Sequence, residues 1–199
     1  MRVKTEAKRQ AIITAAAQVF REMGIEATSM SQIAARVGGS KTTLYSYFPS
    51  KEDLVLEILL ANGEKHESAI FTELAGASSV RDGLVSMGMM HLKFITDPDT
   101  LAIVRLAVAE ASRGDLGRQF YERGPASFLK KLALLIGELI ARGEFRAADP
   151  YRMALQLKAL WDAELFDSIM FGTRENHDEA ALHTCVVEAV DAFYRIYAV

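Results

Sequence analysis

Residues 28–54 read TSMSQIAARVGGSKTTLYSYFPSKEDL, two short helices, a tight turn and the opening of a third helix. Ser29 caps the first helix, whose apolar positions Met30, Ile33, Ala34 and Val37 recur at intervals of three and four, and Gly38-Gly39 supply the break. Ser40 caps the second. In that helix Leu44 and Phe48 share one face at a spacing of four, which leaves Thr42, Thr43, Ser46 and Tyr47 on or near the opposite face. A helix presenting short hydroxyls and a polar-tipped aromatic sits close in a major groove, where such groups reach base edges or phosphates. The pattern is a helix-turn-helix suited to duplex DNA.

At these residues the likeness to a family becomes specific. Thr28-Ser29-Met30, Ile33-Ala34, Ser40-Lys41, Leu44-Tyr45, Tyr47-Phe48 and Ser50-Lys51-Glu52 resemble the DNA-binding signature of TetR-family regulators, with Phe20 and Gly24 at the matching places upstream. The resemblance implies an all-α chain. It has an N-terminal three-helix DNA-binding domain, residues 1–50, and a C-terminal helical ligand-binding and dimerisation domain, residues 51–199. It also implies a DNA-binding set of Thr28, Ser40, Lys41, Thr42, Thr43, Tyr45, Tyr47 and Lys51, with Thr42, Thr43 and Tyr45 nearest the bases and Thr28, Lys41, Tyr47 and Lys51 on phosphates. One position departs from the pattern: the family has a small apolar residue such as Val after the turn glycine, and this chain has Gly39. The change removes a side chain from the packing between the two helices, at on the order of 1 kcal/mol each in backbone entropy and lost burial.

Charge supports the same end of the chain. Residues 1–51 carry eight Lys/Arg against three Asp/Glu, a net +5, whereas residues 52–199 carry 15 against 23, a net −8. A polyanion is drawn to one end and repelled from the other, which orients its approach. Cys185 is the single cysteine, so an intrachain disulfide and a multi-cysteine metal site are excluded and a reducing compartment is expected. The start MRVKTEAKRQ is polar and no apolar run nears the roughly 18 residues of a membrane span, so the expectation is a cytoplasmic protein with no membrane partner.

From about Thr5 to Met23 apolar residues keep helical spacing and Gly24 follows as a stop; Lys4, Lys8 and Arg9 at the start of this helix are either phosphate contacts or solubilising charges. Pro49 ends the reading helix, and Ser50-x-x-Asp53 resembles a capping box for a long helix to about Leu74. Thereafter a cap, an apolar period and a glycine or proline stop repeat. Ser79-x-x-Asp82 opens a helix to Ile95 and Asp97-Pro98 one to about Ser112, broken by Gly114 and Asp115. A helix over 116–123 precedes Gly124-Pro125, a longer one runs to Arg142, Asp149-Pro150 opens one to Phe171, and the last spans about Asp178 to Tyr197. The reading gives nine or ten helices and no strand.

Glu110 to Pro125 and Arg142 to Pro150 also resemble the C-terminal domain of the AefR-like branch of the family. The last two helices are apolar on more than one stripe. One stripe fits an internal core, and the resemblance assigns the other to a homodimer formed as a four-helix bundle, with Leu155, Ala159, Phe166, Met170, Val186, Val190, Phe193 and Tyr197 at the interface. Family members hold a small-molecule effector inside this domain. The candidate lining is Met87, Met90, His91, Phe94, Phe128 and Trp161, residues that suit plain core packing as well as an apolar pocket. Arg105, within Leu101-Ala-Ile-Val-Arg-Leu-Ala-Val-Ala109, snorkels to water, pairs with an internal acid or meets an anionic ligand; Asp162, Glu164 and Asp167 raise the mirror case of a cationic ligand.

No glycine-rich phosphate loop or nucleophile elbow is present. His66, His91, His177 and His183 make no metal-ligand pair at helical spacing, so no catalytic residue, metal site or cofactor is expected. The reading is a sequence-specific regulator, a repressor released from double-stranded operator DNA by an effector. The alternative is a helical interaction or ligand-binding protein of the same fold that has lost DNA binding, for which Gly39 is the only hint.

Overall fold

A computed structural model describes residues 5–25, 27–112, 115–173 and 178–199, with backbone alone for 73–75. Lys4, Gly114 and His177, each given a role above, lie outside the described residues. The described chain folds into eleven helices: α1 Glu6–Met23, α2 Met30–Val37, α3 Lys41–Tyr47, α4 Lys51–Gly76, α5 Val80–Ile95, α6 Pro98–Glu110, α7 Leu116–Arg123, α8 Pro125–Ala141, α9 Pro150–Asp162, α10 Phe166–Met170 and α11 Glu179–Tyr197. Beside them stands one isolated antiparallel bridge, Phe145 with Ala198.

The helix starts follow from short polar side chains that satisfy the free N–H groups of a first turn. Ser29 accepts from the Gln32 amide while Gln32 reaches back to the Ser29 amide, a complete capping box. Ser50, Ser79, Asp97, Asp149 and Asp178 cap α4, α5, α6, α9 and α11 by accepting the amide three residues on. Gly38 ends α2 in the left-handed region, φ 66°, where a side chain would be strained.

Two apolar cores result. The first joins Ile12, Ala16 and Val19 of α1, Ile33 of α2, Leu44 of α3 and Phe48 to Leu54, Val55, Ile58 and Leu59 of α4, and reaches Ile103 of α6. The second gathers α5, α8, α9 and α11 around Met87, Leu132, Trp161 and Phe193, with Phe145 and the far end of α4 at Ile70. Thus α4 belongs to both. Within the second core Gly88 is required by close approach: a Cβ there would lie 2.5 Å from Trp161 Nε1 and 2.7 Å from Val186 Cγ1.

One expected helix is two. The segment opened by Asp149-Pro150 breaks after Asp162, where the Leu165 amide turns back to the Asp162 carbonyl at 3.2 Å, and resumes as α10. Trp161 before the break and Leu165 after it are both buried in the second core.

Candidate nucleic-acid interface

Helix α3 is held from beneath by buried Leu44 and by Phe48 just past its end, and from its start by Ser40, whose hydroxyl accepts the Thr43 amide at 3.0 Å and lies 2.8 Å from the Thr43 hydroxyl. The cap occupies Ser40 and orients Thr43. What remains outward is Lys41, Thr42, Tyr45 and Ser46, all exposed, with Tyr45 43 % exposed despite its ring. Tyr47 is half-buried, and its hydroxyl accepts the Thr5 amide at 3.0 Å, so its own hydrogen is left to donate. A half-covered phenol with a spare donor is suited to a phosphate oxygen.

Two expected phosphate contacts are corrected. Thr28 is 2 % exposed and its hydroxyl donates to the Gly24 carbonyl at 2.7 Å, so it holds the turn between α1 and α2 from inside. Lys51 is half-buried, and its ammonium donates to the Ile25 and Thr28 carbonyls at 2.9 and 3.3 Å. Both residues fix the posture of the head. Arg9 is also drawn inward, onto Glu57 of α4 and over the Phe48 ring, and Arg36 pairs with Glu22 across α1 and α2 at 2.6 Å. Lys8 and Lys41 make no ion pair among the described residues.

The comparisons with known proteins bear on this geometry. Residues 12–58 match the model of the bacterial regulatory proteins of the tetR family, and residues 82–199 match the C-terminal domain of AefR-like transcriptional repressors. The chain belongs to the TetR family. It is similar to an uncharacterised helix-turn-helix transcriptional regulator of Bacillus subtilis, YfiR, at 30 % identity over 72 % of this chain and 71 % of that one. The crystal structure of a TetR-family regulator from Mesorhizobium loti is 30 % identical, with a TM-score of 0.85 over 98 % of this chain and all of the other. A flavonoid-responsive regulator, FrrA, is 30 % identical, with a TM-score of 0.69 over 98 % of both chains. The protein is a helix-turn-helix transcriptional regulator.

The second core of this TetR-family regulator brings four of the expected effector-lining residues together. His91 stacks on Phe128 with centroids 5.5 Å apart and leans on Trp161 at 5.7 Å, beside fully buried Met87. Met90 packs at the edge of the same core. Phe94 does not: it stacks on His66 at 4.6 Å and packs against the first core. Arg105 is exposed, in keeping with the snorkelling reading, and its guanidinium also donates to the Met170 and Ile169 carbonyls at 3.0 and 2.8 Å, at the electronegative end of α10.

The interior also holds charge. His91 Nε2 bonds Asp162 Oδ1 at 2.8 Å, and Lys158 donates to Oδ2 at 2.5 Å. Burial pushes the Asp162 carboxyl up, but the His91 and Lys158 contacts outweigh it and hold it below its ordinary value. Glu67, buried on α4, accepts from Lys131 at 2.9 Å through one oxygen, while its other oxygen and Trp161 Nε1 have no partner. Glu164 accepts from Cys185, whose thiol is pushed up to about 11 by burial and by that carboxylate. The acids expected to face a cationic ligand are thus occupied at Asp162 and Glu164. Among the described residues no group of three or more His, Cys, Asp or Glu is placed to hold a metal ion.

The expected interface needs a larger correction. Val186, Val190, Phe193 and Tyr197 are buried in the protomer's own core, covered by α5, α9 and Phe145, with Phe193 edge-on to Phe145 at 5.3 Å. Most of both apolar stripes of α11 is covered there because the helix packs between two neighbours, while Ile196 at its end stays exposed. Phe166 and Met170 are half-buried, whereas Leu155 and Ala159 face outward.

Sequence reasoning missed Glu57. It is the one charge in Leu54-Val-Leu-Glu-Ile-Leu-Leu60, the same signal that singled out Arg105. Arg9 of α1 and Arg123 of α7 both donate to it, the latter at 2.5 and 3.1 Å. Burial pushes its carboxyl up, and the two guanidiniums outweigh that, leaving it below its ordinary value.

Proposed function

We propose that this regulator is a homodimeric repressor, released from a two-fold operator by a small-molecule effector. The observation that carries the reading is the outward face of α3, where Lys41, Thr42, Tyr45 and Ser46 stand exposed on a helix fixed by its cap and core. Two copies supply two reading helices about 34 Å apart or a multiple of that, matching half-sites on one face of the duplex. The dimer face is the outward side of α9 and α11. Leu155 and Ile196 are 42 % and 43 % exposed, with Ala159 and Ala163 exposed beside them, next to the seam where Tyr197 donates to Gln156.

The effector enters among α4, α5, α8 and α9, around the His91, Phe128 and Trp161 rings; FrrA, by name responsive to flavonoids, supports a small organic molecule. Because α4 takes part in both cores, a shift of its far half tilts the reading head. Emptying a nearly full operator requires the effector to prefer the released state by about 5.5 kcal/mol, roughly 10⁴-fold, and operator must weaken the effector equally. In this reading the chain is not an enzyme and acts in the cytoplasm; no helix among the described residues is long and apolar enough to cross a membrane.

Titration of duplex DNA at two salt concentrations tests the proposal. Affinity falls steeply with salt when phosphate contacts release counterions, and light scattering of the free protein gives a dimer mass. Absence of binding to any duplex, or a persistent monomer at micromolar concentration, overturns it.

A further inference from the structure

Between the reading head and the regulatory bundle lies a crevice of about 500 Å³. Its walls are the last turns of α1 with Gly24, Ile25 and Ala27, the middle of α4 and the first turns of α6. Phe20, Val55, Ile58, Leu59 and Ile103 make a buried apolar floor. The mouth is charged, with Arg21 on the α1 side and Asp97 and Asp99 on the α6 side. Asp97 spends one oxygen on the Asp99 and Thr100 amides, and neither Arg21 nor Asp99 forms an ion pair among the described residues.

We propose that this crevice is a second small-molecule site, separate from the bundle interior, and that it takes a monocation with an apolar body. The floor is apolar, and an apolar occupant removes from water the exposed apolar edges of the crevice. Among the described lining residues two carboxylates stand against one guanidinium, so the mouth they form is net negative. An ammonium group is therefore drawn to the Asp99 side and a carboxylate repelled. One wall belongs to the head and another to α6, so an occupant sets the distance between them and with it the attitude of α3. That regulatory effect rests on the operator-binding reading; the site itself does not.

Calorimetric titration of the whole protein with dodecyltrimethylammonium, below its micelle concentration, tests the site. One ion binds per chain, dodecanoate binds at least about tenfold more weakly, and Asp99→Lys weakens the cation about tenfold, as expected for one opposed charge at a partly solvated mouth. Ala102 is an exposed residue of the lining, so Ala102→Trp plugs the mouth without disturbing either core and abolishes binding. Equal binding by Ala102→Trp, equal binding of dodecanoate, or no binding of the cation overturns the site. Repeating the titration with operator duplex present separates the two readings. Mutual weakening of cation and DNA supports the wedge, and independent binding of both overturns it. Cation binding by a protein that holds no duplex supports the site while overturning the operator reading.

Discussion

The reading head and the regulatory bundle bury different things. In the head every buried group but Thr28 is apolar, and the polar groups sit at helix ends, where Ser29, Ser40 and Ser50 satisfy amides that would otherwise be free. In the bundle, polar and ionisable side chains lie inside: His91 against Asp162, Glu67 reached by the exposed Lys131, and an indole N–H with no partner. Buried charge is costly to keep and more costly to break. The head thus spends its polar chemistry on fixing a shape and leaves one outward face free for DNA, while the bundle keeps polar groups where a molecule inserted between its helices would meet them.

The largest expected effect is on the bundle. Trp161→Ala removes a fully buried ring and should cost about 3–5 kcal/mol in denaturant unfolding; a loss under about 1 kcal/mol would show that the bundle is not packed around it. Asp162→Ala strands His91 and Lys158 and should cost about 2 kcal/mol. A neutral result there would remove the contrast between the two interiors, since it would mean the buried charges stabilise nothing.

Those two predictions concern the part of the molecule that its sequence describes least well. Helix ends were legible throughout, because Ser29, Asp97-Pro98 and Asp149-Pro150 act on their own first turns and need no distant partner. The exposed face of α3 was legible for the same reason. Partners brought together by packing were not: Glu57 meets Arg9 and Arg123 across 48 and 66 residues, and Asp162 meets His91 across 71. The doubled stripe of α11 shows the limit most plainly. Apolar period tells that Val186, Val190, Phe193 and Tyr197 need cover, and only the fold tells that α5, α9 and Phe145 provide it within one chain.

Between head and bundle, Glu57→Gln should cost about 1 kcal/mol, discounted for its half-exposed arginine partners. Its pH dependence identifies the cause. The carboxyl is held below its ordinary value of 4.5 in the folded chain, so its contribution is complete above that value and is lost as pH falls through the folded one. Unfolding free energy of the Gln variant should lack this limb; an unchanged acid limb would remove Glu57 as the joint between the two regions.

The smallest effect belongs to the head. A Cβ on Gly39 meets nothing within 4 Å, and its φ is not in the left-handed region, so Gly39→Ala should stabilise by about 0.4–1 kcal/mol, measured by thermal unfolding, with operator affinity unchanged. Destabilisation would show that the turn needs glycine for its own sake.

The central claim is that the outward face of α3 reads sequence while the residues around it set posture and affinity. Selection of binding sites from random duplex DNA, run side by side on the wild type and on Thr42→Ala/Tyr45→Ala, tests it most directly. The wild type should enrich a two-fold motif. The double variant should bind DNA with a similar salt slope but lose the preference at the central bases of each half-site. The same motif enriched to the same degree by both proteins would contradict the account.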